Sequence, residues 1–286
     1  MRKDSYAKIN LALNVINNSK PKEYHDLDMV NFTISLKDTI RMSINTKEPS
    51  NKTVITSNNE KIPTGKENLV YQVVEKFKKE NKLSFDCNIH IKKRIPLEAG
   101  LGGGSSNAAC VLHMLDKYFK TNLTTPEKAS FLESITADGP YMAYSTPCRV
   151  RGFGDLILPF MTKFKYKVLL VKPKSGCNTK EIYDSLNYKK MARPDIDKLV
   201  EALKENNFDE VSQHIGNSLL GTATTQNKEI KEILTRLKTC GFQIISLSGS
   251  GSTCFAISNK KYPFEHAKQI FNNKEKYELV KVFKIR

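Results

Sequence analysis

Arg94-Ile95-Pro96-Leu97-Glu98-Ala99-Gly100-Leu101-Gly102-Gly103-Gly104-Ser105-Ser106 reads as a strand running into a glycine loop, and the apolar-periodic segment from Asn107 to Phe119 follows it directly. Glycines let a backbone approach phosphate oxygens closely and adopt positive φ where a turn needs it. A helix that starts at such a loop aims its unsatisfied N–H groups and the positive end of its dipole at the same charge. Ser105 and Ser106 add hydroxyl donors. The Ser105-Ser106-Asn107 cluster is good N-cap chemistry, so the helix is expected to begin there. The segment is therefore an anion cradle suited to a nucleoside triphosphate. It is not a Walker A loop, because no Gly-Lys-[Ser/Thr] closes it. It is not the dinucleotide fingerprint either, which needs an acidic residue about 20 residues on at a second strand end.

Upstream of the loop, Ala7 to Val15, Leu27 to Leu36, Thr39 to Ile44 and Phe85 to Lys92 alternate apolar and polar residues as strands do. Between them Leu69, Val70, Val73, Val74 and Phe77 recur at helical spacing, which predicts a helix over Asn68 to Lys79. Downstream, a helix is expected over Pro126 to Ile135, and strands turn at Gly152 and Gly154. A domain boundary is expected near Pro159, dividing the chain into 1–160 and 161–286. The second part reads as another α+β unit. It has a strand over Lys167 to Val171, helices at Thr179 to Leu186, Asp195 to Glu205, Asp209 to Ile215 and Lys228 to Cys240, and strands at Gln243 to Ser248 and Thr253 to Ser258. A helix over Pro263 to Asn272 and a strand over Tyr277 to Ile285 close it.

Composition narrows the class. With 286 residues and 39% hydrophobic content the chain can bury one large core or two ordinary ones. No apolar run approaches the roughly 18 residues of a membrane span, and no signal-peptide-like run follows the first residues, so a cytoplasmic location is expected. The six cysteines are far apart with no Cys-x-x-Cys pair, and the five histidines form no close metal-ligand pattern. Any metal is expected to arrive on a phosphate ligand. The formal charge of +16 is spread along the chain rather than gathered in one arm, which reads as a lysine-rich solvated surface rather than a nucleic-acid site.

Pro96 to Asn107 resembles the central motif of the GHMP kinases, which in outline reads Pro-x-x-x-Gly-Leu-[Gly/Ser]-Ser-Ser. Two further segments resemble the family in the expected order, Ala7-Lys8-Ile9-Asn10-Leu11 and Leu247-Ser248-Gly249-Ser250-Gly251. Within the superfamily the chain is most similar to the branch that phosphorylates the 2-hydroxyl of 4-diphosphocytidyl-2-C-methyl-D-erythritol, a step of non-mevalonate isoprenoid precursor synthesis. Tyr24-His25-Asp26-Leu27, Asn68-Leu69-Val70, Ala137-Asp138-Gly139-Pro140 and Asn217-Ser218-Leu219 carry that likeness. The resemblance implies an ATP-dependent, Mg²⁺-assisted kinase of two lobes. The N-terminal lobe would be ribosomal protein S5 domain 2-like and the C-terminal lobe ferredoxin-like α+β, in a monomer or a homodimer.

The same resemblance implies the site. Asp138 would accept the proton of the substrate hydroxyl and Lys8 would steady the charge. This is sound chemistry, since an alcohol is a poor nucleophile without a base. Asn10 would hydrogen-bond the substrate, Tyr24 and His25 would hold the cytosine end, and Thr179 and Tyr183 would close that pocket, with Tyr24 and Tyr183 as stacking rings. Gly102, Gly103, Gly104, Ser105 and Ser106 would wrap the phosphates within the segment formed by Pro96, Gly100, Leu101 and Asn107, with Lys93 and Asn68 nearby. Gly249, Ser250 and Gly251 would support the catalytic centre. The chain departs from the family at Glu23, where Gly usually precedes the Tyr-His pair, at Thr136, where Gly usually stands two residues before the catalytic Asp, and at Ser252. If Glu23 and Thr136 sit at positive φ, backbone strain would follow. Competing readings are a kinase of the same family acting on homoserine, mevalonate or a similar alcohol, and a catalytically inactive binding protein that keeps the fold.

Overall fold

The computed structural model describes residues 1–17, 25–273 and 275–286, and the chain packs as two compact units whose segments interleave along the sequence. One unit is Met1–Ala7, Leu36–Ile95 and Gly102–Ser145; the other is Lys8–Ser35, Pro96–Leu101 and Thr146–Arg286. The packing units thus differ from a single division at residue 160.

Strand β1 (Arg2–Asn17) pairs with β2 (Asp26–Asn45), and both run through segments of each unit. In the first unit the end of β2 pairs antiparallel with β4 (Asp86–Lys92), with Thr39 opposite Lys92, and β3 (Thr53–Ser57) lies parallel to β4 on its other side. Cys87, Ile89 and Ile91 alternate inward along β4, the period of two that a half-buried strand requires. Helix α1 (Leu69–Asn81) buries Val70, Val73, Val74 and Phe77, the face read from its spacing. Asn68 caps it, its side chain accepting from Val70 N at 2.8 Å.

Helix α2 (Gly103–Phe119) packs beside α1. It begins earlier than the serine cluster suggests. Gly102 is its N-cap, at φ 63°, and Ser105, Ser106 and Asn107 are buried inside its first turns. Serine caps are favoured only where their side chains can reach back to N–H groups, and here the hydroxyls have other partners. Helix α3 (Thr125–Glu133) opens on a capping box between Thr124 and Glu127, and the short α4 (Gly139–Tyr144) packs against it.

In the second unit the first half of β2 pairs antiparallel with β5 (Cys148–Gly152), which pairs in turn with β6 (Leu156–Pro159). A separate antiparallel sheet runs in the order β10-β7-β9-β8, from β7 (Lys167–Pro173), β8 (Ile244–Leu247), β9 (Cys254–Ile257) and β10 (Tyr277–Lys284). Helices α5 (Thr179–Asp184), α6 (Ile196–Glu205), α7 (Phe208–His214) and α8 (Leu220–Gln226) precede α9 (Lys228–Thr239), which packs Ile230, Ile233 and Leu237 toward that sheet; α10 (Tyr262–Ile270) follows β9. The succession β7-α9-β8-β9-α10-β10 is the ferredoxin-like arrangement expected of the C-terminal part. No helix among the described residues is long and apolar enough to cross a membrane.

Candidate active site

Lys8 and Asn10 are successive inward positions of β1, and both are buried. Lys8 Nζ donates to Asn10 Oδ1 at 2.7 Å, and Asn10 Nδ2 donates to Asn31 Oδ1 at 2.8 Å. The backbone is held equally closely, with Lys8 N donating to Leu101 O at 3.0 Å and Asn10 N to Ser248 Oγ at 3.4 Å. Ser248 Oγ donates to Gly100 O at 2.8 Å. Gly100 sits at φ 69°, and a Cβ there would lie 1.9 Å from Ser248 O. No other residue type fits that approach. The structure thus joins Lys8, Asn10, Gly100 and Leu101 to the third glycine motif, where Gly249 and Gly251 also have positive φ.

Asn217 holds that motif from below, its Nδ2 donating to Leu247 O and Gly249 O, each at 2.8 Å. Ser250 Oγ lies 2.8 Å from Thr179 Oγ1 at the start of α5. On the same helix, the Tyr183 ring stacks on His25 with centroids 4.7 Å apart and planes 19° from parallel. Tyr188 OH lies 2.8 Å from His25 Nδ1. Burial pushes the His25 pKa down, opposed by Asp184, and pushes that of Tyr188 up, so both groups favour their neutral forms. His25 and Tyr183 therefore share one aromatic cluster with Tyr188. Tyr24 and Glu23 lie outside the described residues.

In the first unit the start of α2 rests on a buried polar network. Lys93 Nζ donates to Asp38 Oδ2 at 2.5 Å and to Asn107 Oδ1 at 3.2 Å. Asp38 Oδ1 accepts from Arg94 N and Ile95 N, and Asn107 Nδ2 donates to Asp38 Oδ2 and Ser5 Oγ. Ser5 Oγ lies 2.7 Å from Ser106 Oγ, which donates to Tyr6 O at 2.6 Å. Lys93 Nζ is 3.2 Å from where a Cβ on Gly103 would be, which brings a cation to the glycine start of the helix. Ser105 Oγ pairs with Thr136 Oγ1 at 2.7 Å, in the loop that leads to Asp138. Asp138 is half-buried at the N-cap of α4 and its carbonyl accepts from Met142 N. Asn68 is occupied in capping, its Nδ2 donating to Pro63 O at 2.6 Å. Pro96 is half-buried at the head of the 96–101 segment.

The start of α2 fits a phosphate chain. Six other helices start at a side-chain cap, from Asn68, Thr124, Asn178, Asp195, Asn207 or Asn227. Helix α2 has no side-chain cap and no acidic residue in its first turn, so the amides of its glycine start keep their donors for an anion. Among the described residues no three His, Cys, Asp or Glu side chains gather to hold a metal ion. Sequence reasoning gave no role to Asp38, Asn31 or Tyr188, and named Ser248 only as part of the third motif. Asn31 lies inside a strand-like run and Asp38 in what looks like a break between two, and the partners of both lie far off in sequence. Tyr188 lies past the end of α5, at a spacing from Tyr183 that fits no helical face, so nothing in the sequence pointed to it.

Residues 68–144 match the GHMP kinases N terminal domain and residues 199–276 the GHMP kinases C terminal domain. The chain belongs to the GHMP kinase family. Within it, the chain is 34% identical to the 4-diphosphocytidyl-2-C-methyl-D-erythritol kinase of Limosilactobacillus fermentum, over 93% of this chain and 92% of that protein. It is also 34% identical to the protein of that name from Clostridium tetani, over 89% of this chain and 90% of the other. Among solved structures, a 4-(cytidine 5'-diphospho)-2C-methyl-D-erythritol kinase superposes with a TM-score of 0.81 at 23% identity, covering 100% of this chain and 99% of that one. Homoserine kinase from Cytophaga hutchinsonii gives a TM-score of 0.72 at 14% identity, covering 99% and 95%. At those identities the two structures establish the fold.

Proposed function

We propose that the protein transfers the γ-phosphoryl group of ATP to the 2-hydroxyl of 4-diphosphocytidyl-2-C-methyl-D-erythritol, in the non-mevalonate route to isoprenoid precursors. One observation carries the reaction class: a 17-residue helix opens on bare glycines with no side-chain cap and a buried lysine at Gly103. The acceptor is supported by the names of the relatives that match almost the whole chain, and by the aromatic cluster of His25, Tyr183 and Tyr188, which suits a nucleobase.

In this reading the amides of Gly103, Gly104 and Ser105 bind phosphate oxygens, and Lys93, its charge balanced by Asp38, braces the start of the helix behind them. Asp138 takes the proton from the attacking hydroxyl, a role that contributes roughly 10²–10⁴-fold in rate. Lys8, its ammonium fixed by Asn10, opposes the negative charge that develops as the hydroxyl attacks. Asn10 orients the acceptor. Mg²⁺, when bound through the phosphates, neutralises charge on the transferring group. In this reading residues 1–160 form the ATP-binding lobe and 161–286 the C-terminal lobe, and the cytidine side draws on both, with His25 from the first and Thr179, Tyr183 and Tyr188 from the second. The six cysteines are all unpaired, in keeping with a reducing, cytoplasmic setting.

The test is ADP release from ATP and Mg²⁺ by wild type and Asp138→Asn, with 4-diphosphocytidyl-2-C-methylerythritol, homoserine and mevalonate offered in parallel. Turnover confined to the cytidyl alcohol, and lost in the mutant, is the expected result. Turnover of another alcohol would retract the acceptor and the roles of His25 and Tyr183. No turnover of any of them would favour a binding protein that keeps the fold.

A further inference from the structure

Asn31 is fully buried in β2 and belongs to none of the motifs that mark the family. Its Oδ1 accepts from Asn10 Nδ2, and Asn10 Oδ1 accepts from Lys8 Nζ. The sense of this chain is forced from one end. An ammonium has only donors, so Asn10 must turn its oxygen toward Lys8. That leaves the Asn10 amide nitrogen pointing away, where Asn31 Oδ1 and, more weakly, Met29 Sδ at 3.4 Å take its two hydrogens. Asn31, oriented by this demand, ends with Nδ2 buried and without any acceptor among the described residues.

A buried donor left unpaired is a cost, and two apolar side chains of similar shape would avoid it. What the arrangement secures is the direction of the Asn10 amide. The backbone beside it is already fixed through Leu101 O and Ser248 Oγ. The terminal torsion of an Asn side chain is broad and roughly two-fold, so it is the freedom that remains. Without an acceptor at residue 31, Asn10 could turn its nitrogen toward Lys8, and the ammonium would lose the hydrogen bond to Asn10 Oδ1.

We propose that Asn31 is a positioning residue for phosphoryl transfer: its side-chain oxygen locks the Asn10 amide so that Lys8 Nζ is held in place. This rests on the role given to Lys8 above. Asn31 acts through Asn10 and touches no reacting atom.

The experiment compares wild type, Asn31→Leu and Asn31→Asp, the last keeping an acceptor oxygen for Asn10 while discarding the orphan donor. Thermal unfolding checks that each folds. On whichever alcohol the wild type phosphorylates, Asn31→Leu is expected to lower kcat by about 10–100-fold, the scale of a small misplacement at a reacting centre, with KM for ATP unchanged. Asn31→Asp is expected to recover most of that loss. Wild-type kcat in Asn31→Leu, or equal losses in both variants, would overturn the proposal. A second readout needs no turnover: in ¹⁵N spectra the side-chain amide of Asn10 should exchange slowly with solvent in the wild type and Asn31→Asp, and quickly in Asn31→Leu. If no alcohol is phosphorylated, the function above fails while this readout still decides the lock. Unchanged exchange in Asn31→Leu would sink it.

Discussion

Ser105 Oγ and Thr136 Oγ1 lie 2.7 Å apart, so the residue that stands where the resemblance calls for glycine is tied to the first turn of α2. Thr136 is not among the residues at positive φ, and the strain anticipated for a threonine there is absent. Thr136→Val, which keeps the shape and loses the hydroxyl, should lower unfolding free energy by about 1 kcal/mol. Thr136→Gly has no strain to relieve and should lose roughly as much again through added freedom of the unfolded chain. Urea midpoints measure both, and a glycine variant more stable than wild type would contradict this account.

Gly100 admits no side chain. Gly100→Ala combines a positive φ with a Cβ 1.9 Å from Ser248 O, and should cost at least about 2 kcal/mol of stability. Gly104 is exposed, and its Cβ would meet only Leu69 Cδ1 at 3.3 Å. Gly104→Ala should therefore fold nearly as well as wild type while weakening ATP binding, a separation that paired denaturation and ATP titration would reveal.

The Lys93–Asp38 ion pair is almost wholly buried, with side chains 3% and 0% exposed. Removing one partner leaves a charge without compensation, so Lys93→Met should lower stability by about 3–5 kcal/mol. Guanidinium unfolding followed by far-UV circular dichroism would test this. A loss under 1 kcal/mol would mean that the Arg94 and Ile95 amides together with Asn107 Nδ2 satisfy Asp38 without Lys93.

His113, in α2, has its pKa pushed down to about 4, first by burial and then by Lys3 and Lys128. The folded value lies below the ordinary value near 6.5, so the contribution to stability is full above pH 6.5 and is lost as pH falls toward 4. The loss should reach about 3 kcal/mol by pH 4. His113→Gln should flatten this acid slope by close to one proton, as read from urea midpoints between pH 7 and pH 4.

The helices and strands with clear periodicity could be read from sequence, and so could the ferredoxin-like order of the C-terminal part. What escaped depended on distant partners. Leu27 to Leu36 and Thr39 to Ile44 read as two strands because Lys37-Asp38 looks like a polar break, yet β2 runs unbroken through them. Asp38 is buried there because Lys93 arrives 55 residues later to neutralise it. Strand β3 is five residues long with one fully buried side chain, and α8 buries only Ala223, too little apolar pattern to register in either case. At α2, Gly103 and Gly104, which suggested a loop, open the first helical turn after the N-cap Gly102, although ordinary propensity penalises glycine there.

The interleaving of the two units along β1 and β2 bears on how this chain can be handled as a piece of genetic material. Residues 2–7 and 36–45 serve one unit, while residues 8–17 and 26–35 serve the other. A stop codon at residue 160 would leave the second unit without its main sheet, and a start codon there would strip it of β1 and β2. Neither fragment is a module that could be fused, swapped or screened by itself. Libraries, deletions and chimaeras of this protein have to be designed on the whole reading frame.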